Sequence, residues 1–330
     1  MGSGTLFIIF VIFVAFAFDF INGFHDAANS IATIVTTGVL TPRQAVLWAA
    51  FFNLIAFMVF NLMVAQTIGS GLIKTNIVDA ELILSALIGA IFWNLATWYY
   101  GLPSSSSHAL IGGLAGAALV KGGFAALLPA GFIKVAIGIL VTPTVAILAG
   151  FLLTFLFGLL LKKYTEQKLN KLFNGFQLLS SAFLSLTHGG NDAQKTMGII
   201  AILLFSANML GDTFYIPFWV VISCQLVISL GTLFGGWRIV HTLGSKITEL
   251  NSMRGCAAES GAAIMIFLAT EQGIPVSTTH TVTGSIAGVG MLKGLKARHW
   301  RVLKRIFLGW LLTIPAAGIV SAAIMLCFMS

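Results

Sequence analysis

Two short polar stretches stand out in the sequence: PSSSSH at 103–108 and PVSTTH at 275–280. Each places a proline, several hydroxyl residues and a histidine inside an otherwise apolar sequence. The 172-residue spacing between them recurs further along, because Gly112 aligns with Gly284 and Pro143 with Pro315. An ordered series of matches at constant spacing predicts that the two halves of the chain are copies.

A second pair of motifs supports the duplication. GFHDA at 23–27 aligns with GGNDA at 189–193, 166 residues later. The one long polar stretch lies between the halves. We therefore expect a first repeat, a cytoplasmic linker and a second repeat. Their bounds are 1–161, 162–171 and 172–330.

Composition sets the class of protein. Hydrophobic residues make up 58% of the chain and charged residues 8%, whereas a soluble domain carries about 25% charged residues. The mean hydropathy is +0.99, and a soluble core could not hide so much apolar surface. The sequence therefore excludes a soluble enzyme, a disordered chain and a disulfide-stapled domain. It predicts an all-α polytopic membrane protein.

Ten apolar segments approach the length of about 20 residues that crosses a bilayer. The segments 5–40 and 172–210 are too long for a single crossing and are expected to be interrupted. The candidate spans are 5–40, 44–68, 82–100, 103–120, 131–161, 172–210, 216–236, 254–272, 275–292 and 305–328.

The basic residues indicate how the copies are oriented. With five crossings in each half and an outside start, fourteen Lys and Arg residues fall in inner loops and three in outer loops, as the positive-inside rule requires. An odd number of crossings makes the repeats inverted. Lys121 would then lie outside and its counterpart Lys293 inside. Inverted repeats with broken helices are typical of secondary transporters.

Carboxylates inside apolar segments are costly and usually functional. Asp26 and Asp192 occupy the same place in the two repeats, which would bring them together near the membrane midplane. Beside amide and hydroxyl oxygens, such carboxylates form a hard-cation site; the alternative is that each caps a buried helix. The predicted sodium ligands are Asp26, Asp192, Asn22, Asn29, Asn191 and Glu259.

The hydroxyl-rich stretches predict two helix starts, because proline and Ser or Thr favour the first helical turn. Free N–H groups and the positive end of the helix dipole bind tetrahedral anions. Two such starts related by inversion would hold one anion from both sides. The alternative is that the hydroxyls only cap the helices. His108 and His280 could donate to the anion or carry a proton, or simply bond to nearby backbone.

These residues resemble the inorganic phosphate transporter (PiT) family. Its duplicated signature is similar to GFHDAANS at 23–30 and GGNDAQKT at 189–196, and its second hallmark to GIPVSTTH at 273–280. The resemblance implies an inverted-repeat fold with re-entrant hairpins. It also implies phosphate symport with sodium, or with protons in some members, while some relatives carry sulfate. The phosphate ligands are then expected to be Asn29, Gln194, Ser105, Ser106, Ser107, Ser277, Thr278 and Thr279.

Three departures from the family pattern concern the coupling ion more than the substrate. His25 replaces the first signature asparagine, and Gln194-Lys195 stands where Ala or Ser followed by Asn is usual. Asn53 lies where many relatives have a glutamate.

The sequence is thus interpreted as a multi-pass symporter of the cell (inner) membrane that imports inorganic phosphate with sodium. It is expected to be no enzyme, to need no cofactor and to bind no nucleic acid; a homo-oligomer is left open. The alternatives are proton-coupled or metal-phosphate symport, sulfate transport, an anion channel and an intramembrane hydrolase. Paired acids disfavour the channel because they repel anions. Duplication of every candidate residue disfavours the hydrolase, which needs one asymmetric site.

Overall fold

The computed structural model describes residues 3–292, 294 and 296–330, so that Lys293 lies outside the described residues. Within the described ranges the chain folds into twelve α-helices, with no β-strand. The expectation of an all-α membrane protein is therefore confirmed. The first six helices are α1 (Ser3–Thr36), α2 (Pro42–Ile55), α3 (Met63–Ser70), α4 (Ala80–Tyr99), α5 (Ser106–Gly122) and α6 (Pro129–Leu160).

The second half repeats this order of long, broken and paired helices. The remaining six are α7 (Glu166–Ser206), α8 (Phe218–Phe234), α9 (Trp237–His241), α10 (Ser252–Glu271), α11 (Thr278–Met291) and α12 (Ala297–Met329).

Among the residues that the structure describes, four helices, α1, α4, α6 and α12, are long and apolar enough to cross a membrane. Two bent pairs raise this number to six if each pair forms one span: α2 with α3 at 81°, and α8, followed by α9 and one π-helical turn, at 63°. The broken spans therefore occupy corresponding places in the two halves.

The expectation of five full crossings in each half is wrong for the segments 103–120 and 275–292. At 1.5 Å per residue, α5 is about 26 Å long and α11 about 21 Å long, less than the hydrocarbon core of about 30 Å. Each packs back against the helix before it, α4 and α10 respectively. The four helices thus form two hairpins, whose tips hold the hydroxyl-rich stretches.

The expected interruptions of segments 5–40 and 172–210 are also absent. Both α1 and α7 run unbroken through their carboxylates. Their glycines serve close helix packing: a Cβ atom on Gly23 would lie 2.1 Å from the carbonyl oxygen of Ile228, and one on Gly189 would lie 2.7 Å from the Cα of Asn53. In addition, α7 begins at Glu166, inside the stretch predicted as linker.

Helices of one half pack against helices of the other. α5 contacts α12 and α6 contacts α11, while α1 contacts α8 and α7 contacts both α2 and α3. Glycines allow the backbones to touch, since a Cβ on Gly116 would lie 2.1 Å from the oxygen of Gly318 and one on Gly288 would lie 2.0 Å from that of Ile147. This exchange places both hairpin tips beside the middles of α1 and α7.

Candidate functional site

One face of α1 carries a row of buried polar side chains. Asn22, Asp26 and Asn29 recur at spacings of four and three residues, so they share one helix face. Their exposed fractions are 0%, 2% and 1%. An apolar helix can carry such a row only if neighbouring groups satisfy it.

α7 carries the corresponding row, His188, Asp192 and Lys195, which is equally buried. An oxygen of Asp26, an oxygen of Asp192 and a ring nitrogen of His188 all lie within 4.8 Å of one another. The two carboxylates from distant parts of the sequence therefore meet, as their duplicated positions suggested. Two carboxylates this close need positive charge beside them.

Both hydroxyl-rich stretches begin a helix, as predicted. The hydroxyl of Ser105 caps α5 by accepting a hydrogen bond from the backbone N of His108 at 3.2 Å. The hydroxyl of Ser277 caps α11 in the same way, accepting from the backbone N of His280 at 3.1 Å. These two predicted phosphate ligands thus act as helix caps, the alternative that the sequence left open.

The next residue in each tip reaches a carboxylate. Ser106 Oγ donates to Asp26 Oδ2 at 3.2 Å, and Thr278 Oγ1 donates to Asp192 Oδ2 at 3.2 Å. The same hydrogen bond to the same carboxylate oxygen is thus made in both halves. Each hairpin tip is tied to the long helix of its own half.

Further hydrogen bonds join the halves. Asn29 Nδ2 donates to Thr279 Oγ1 at 2.9 Å, and Thr279 Oγ1 lies 3.3 Å from Asp26 Oδ1, to which it donates. Ser107 Oγ donates to the backbone oxygen of Val276 at 3.0 Å. Asn29 Nδ2 also donates to Thr278 Oγ1 at 3.3 Å, and the backbone oxygen of Val276 links Ser107 to Lys195. Seven of the predicted site residues therefore form one network: Asp26, Asn29, Asp192, Ser106, Ser107, Thr278 and Thr279.

Three basic side chains lie against the carboxylates, and one of them, His188, has its Nε2 atom 3.3 Å from Asp192 Oδ2. Lys195 Nζ is 2.5 Å from Asp192 Oδ1 and 3.1 Å from the backbone oxygen of Val276. His25 Nδ1 is 2.7 Å from Asp26 Oδ1. Sequence reasoning did not place Lys195 among the site residues. Its position three residues after Asp192 in an apolar segment was the signal for this ion pair.

Glu259 lies in a separate buried cluster. Thr33 Oγ1 donates to Glu259 Oε1 at 2.6 Å and Gln177 Nε2 donates to the same oxygen at 2.9 Å, while Ser180 donates to Oε2. Thr33 is seven residues beyond Asp26, or about 10 Å along α1. The structure therefore does not place Glu259 with the carboxylate pair. Sequence reasoning missed its three partners, which lie far from it in the sequence.

Gln194, a predicted phosphate ligand, faces the break between α2 and α3. Its Nε2 donates to the backbone oxygens of Asn61 and Gly190, each at 2.7 Å, and its Oε1 accepts from the backbone N of Ala65 at 3.1 Å. Both amide hydrogens are thus engaged with backbone. In this arrangement Gln194 stabilises the broken segment against α7.

Three predicted cation ligands have a free oxygen. In the part of the chain that the structure describes, Oδ1 of Asn22, of Asn29 and of Asn191 is buried and accepts no hydrogen bond. Buried polar atoms are rarely left without a partner. Amide oxygens near carboxylates are the donor set that a hard cation takes.

His108 and His280 lie on the far side of their caps. Their rings touch, with centroids 4.4 Å apart, and His280 stacks on Trp310 at 3.8 Å. Both histidines line a crevice of about 390 Å³ beside α6 and α12. Their role as phosphate or proton ligands remains a prediction.

Comparison with known proteins identifies the family of the chain. The model of the phosphate transporter family matches residues 22–321, nearly the whole chain. The chain belongs to the phosphate transporter family. It is a membrane transporter of phosphate and not an enzyme, and the resemblance seen in the sequence is confirmed.

Relatives match over nearly their full lengths. A probable low-affinity inorganic phosphate transporter of Rhizobium meliloti (strain 1021) is 55% identical over 318 residues, covering 96% of this chain and 94% of the relative. One from Bacillus subtilis (strain 168), with the same description, is 44% identical over 316 residues and 95% of each chain. A solved structure, a sodium-dependent phosphate transporter, matches with a TM-score of 0.89 and 28% identity, covering 98% of this chain and 99% of the other.

Proposed function

We propose that this transporter imports inorganic phosphate across the cell (inner) membrane together with sodium. The observation that carries this proposal is the convergence of two hydroxyl-bearing helix starts on two buried carboxylates. Hydroxyl and amide donors suit the anion, and carboxylate and amide oxygens suit the cation. Anion and cation would therefore bind side by side and stabilise each other.

The anion is held by the tips of the two hairpins. The starts of α5 and α11 supply backbone N–H groups and dipole ends of positive sign. Ser106, Ser107, Thr278 and Thr279 supply hydroxyls that can turn from the carboxylates to phosphate oxygens. Ser105 and Ser277 keep the two helix starts in place through their caps.

The cation is held by the carboxylate of Asp26. The unpartnered amide oxygens of Asn22, Asn29 and Asn191 complete an oxygen shell of the kind that hard ions need. Sodium is favoured by the description of the structural neighbour as a sodium-dependent phosphate transporter. Protons are the alternative coupling ion, because a buried carboxylate without a cation takes up a proton.

The Glu259 cluster is a second candidate for a cation site. It combines a carboxylate with the hydroxyls of Thr33 and Ser180 and the amide of Gln177. Thr33, the member of this cluster on α1, lies about 10 Å along the helix from Asp26. An ion moving to or from the central site would pass close to this cluster.

Charge explains why an anion transporter needs acidic residues. Bringing a dianion inward against about 100 mV costs about 4.6 kcal/mol. Each sodium ion that enters with the phosphate offsets about 2.3 kcal/mol of this cost, and its own gradient helps to drive uptake. A buried carboxylate attracts such a cation. In an anion channel the same carboxylates would repel the permeant ion.

Uptake of radiolabelled phosphate into proteoliposomes tests the proposal. An inward sodium gradient should accumulate phosphate, whereas potassium in its place should not. Sodium-driven uptake should fall as the pH drops, because protons compete for the carboxylates. Accumulation driven by a proton gradient without sodium would make protons the coupling ion. Downhill flow with no accumulation under either gradient would indicate a channel, and inhibition by equimolar sulfate would indicate the alternative substrate.

The inverted orientation of the two halves belongs to this proposal, since alternating access of one central site follows from it. The exchange of packing partners between halves supports it. Single cysteines replacing the exposed Phe124 and Lys296, which are 172 residues apart, should react with an impermeant thiol reagent from opposite sides of the membrane. The background lacks Cys224, Cys256 and Cys327. Labelling of both positions from one side would contradict inversion.

A further inference from the structure

The two halves of the site share their carboxylates and hydroxyl donors but differ at three aligned positions, Asn22 with His188, His25 with Asn191 and Asn29 with Lys195. Asp26 corresponds to Asp192 at the spacing of 166 residues, and each accepts a hydroxyl at 3.2 Å on its Oδ2 atom. The same spacing aligns Asn29 with Lys195. One half therefore carries a neutral amide where the other carries a positive charge.

The ammonium of Lys195 lies where a small cation would bind. Its side chain is 1% exposed, and its ammonium lies between a carboxylate oxygen of Asp192 and the backbone oxygen of Val276. Val276 precedes α11, where the backbone is not helical and its oxygen is free to accept. A carboxylate and an unwound carbonyl are typical ligands of a coupling ion in transporters built from repeats.

Asp26 has no such fixed charge. Asn29, at the position of Lys195, directs its Nδ2 to Thr278 and Thr279 and leaves its Oδ1 without a partner. The carboxylate of Asp26 instead accepts from Ser106 and Thr279 and contacts His25. The neutral hydroxyls at Asp26 can rotate away when a sodium ion binds. The ammonium of Lys195 is tethered and carries the same charge as sodium, so it excludes a sodium ion from Asp192.

We propose that Lys195 is a built-in cation that replaces one coupling sodium ion, so that the Asp26 half binds an exchangeable sodium and the Asp192 half does not. This inference rests on the proposed function, in which sodium binds at the carboxylates. In this inference Lys195 determines how many sodium ions are transported with each phosphate. The inference also revises the sequence prediction that Asp192 is a sodium ligand.

The consequence follows from conservation of charge. A tethered ammonium neutralises Asp192 but is not released into the cell, so each phosphate enters with one sodium fewer than in a transporter with two ionic sites. Less positive charge then crosses per cycle. The highest ratio of internal to external phosphate that uptake can reach is then lower by one factor of the sodium concentration ratio across the membrane. Uptake also depends less steeply on external sodium.

The test is the ratio of labelled sodium to labelled phosphate taken up by proteoliposomes. Lys195→Asn installs the side chain of the other half and should raise the ratio by one sodium per phosphate. Lys195→Arg keeps the charge and should keep the wild-type ratio. Lys74→Asn makes the same exchange at an exposed lysine and should change nothing. An unchanged ratio in Lys195→Asn would overturn the inference.

A charge-neutral double variant keeps the inference testable if Lys195→Asn folds poorly. Asp192→Asn with Lys195→Asn removes carboxylate and ammonium together and should keep the wild-type ratio. A ratio lower by one would mean that Asp192 binds a sodium ion in the wild type, which contradicts the inference.

The proposed function and the inference fail in different ways. Sodium-independent phosphate accumulation by the wild type would overturn sodium coupling. In that case Lys195→Asn acquiring a sodium requirement would still support the inference, and a variant as sodium-independent as the wild type would overturn it.

Discussion

The half-site around Asp26 and the half-site around Asp192 come from the same duplicated sequence but differ in how the carboxylate is neutralised. In both, a hairpin tip donates a hydroxyl to Oδ2 at 3.2 Å, and a serine caps the helix that follows. At Asp192 a lysine of the same helix supplies the positive charge. Each carboxylate also has a histidine beside it, His25 at Asp26 and His188 at Asp192, so the lysine is what distinguishes the Asp192 half.

This difference shows how a duplicated sequence can hold an unequal set of ions. Duplication produces two equivalent buried carboxylates, and each needs a cation beside it. Of the three aligned differences around them, the exchange of Asn29 for Lys195 is the one that, in our proposal, fixes one cation covalently and leaves the other free to exchange. The geometry for the anion is kept in both halves.

The largest expected effect breaks the Asp26 half. Asp26→Asn should abolish sodium-stimulated phosphate uptake, because it removes the carboxylate that attracts the exchangeable ion, while the protein remains dispersed in detergent. Uptake into proteoliposomes measures this. Asp212→Asn, a change at an exposed aspartate, serves as the matched control. Full sodium stimulation in Asp26→Asn would show that this aspartate has only a structural role. Glu259 would then be the next candidate for the cation ligand.

A smaller effect sharpens the comparison at Asp192. Asp192→Asn leaves the ammonium of Lys195 buried without its carboxylate, and breaking a buried ion pair in this way costs about 3–5 kcal/mol. The melting temperature in detergent should therefore fall, and added sodium should not restore it. The double variant with Lys195→Asn should melt at a higher temperature than Asp192→Asn alone. If the single variant melts like the wild type, the pair does not stabilise the fold.

The smallest effect tests whether the two tips contribute equally. Ser106→Ala and Thr278→Ala each remove one hydroxyl donor, and losing a hydrogen bond to a charged group weakens binding by about 1–3 kcal/mol. Equilibrium phosphate binding should weaken by similar factors in both variants. Ser70→Ala, at an exposed serine, should leave binding unchanged. Wild-type affinity in both tip variants would show that the anion binds elsewhere.

The sequence was most informative where the pattern was local and repeated. The duplicated motifs at 103–108 and 275–280 predicted both helix starts, and the paired aspartates predicted the meeting of two carboxylates. Each signal lies within a few residues, and its repetition half a chain away made it specific. Hence the class of fold and the centre of the site were predictable.

Features set by distant contacts were not predictable in this way. A glycine permits either a helix break or a close approach of two helices, and only packing against Ile228 decides for Gly23. Gln177 and Ser180 reach Glu259 from about 80 residues away. Gln194 lies within a signature motif, yet its amide donates to the backbone oxygen of Asn61 in the break between α2 and α3.

The account depends most on the position of the anion between the two hairpin tips. Arsenate, a phosphate analogue of the same shape and charge, can be located in crystals of the protein by its anomalous scattering. We predict one strong arsenic peak between the starts of α5 and α11, within hydrogen-bonding distance of Ser106 and Thr278. A peak only at the basic surface pocket around Arg238 and Arg305, with none between the tips, would contradict the account.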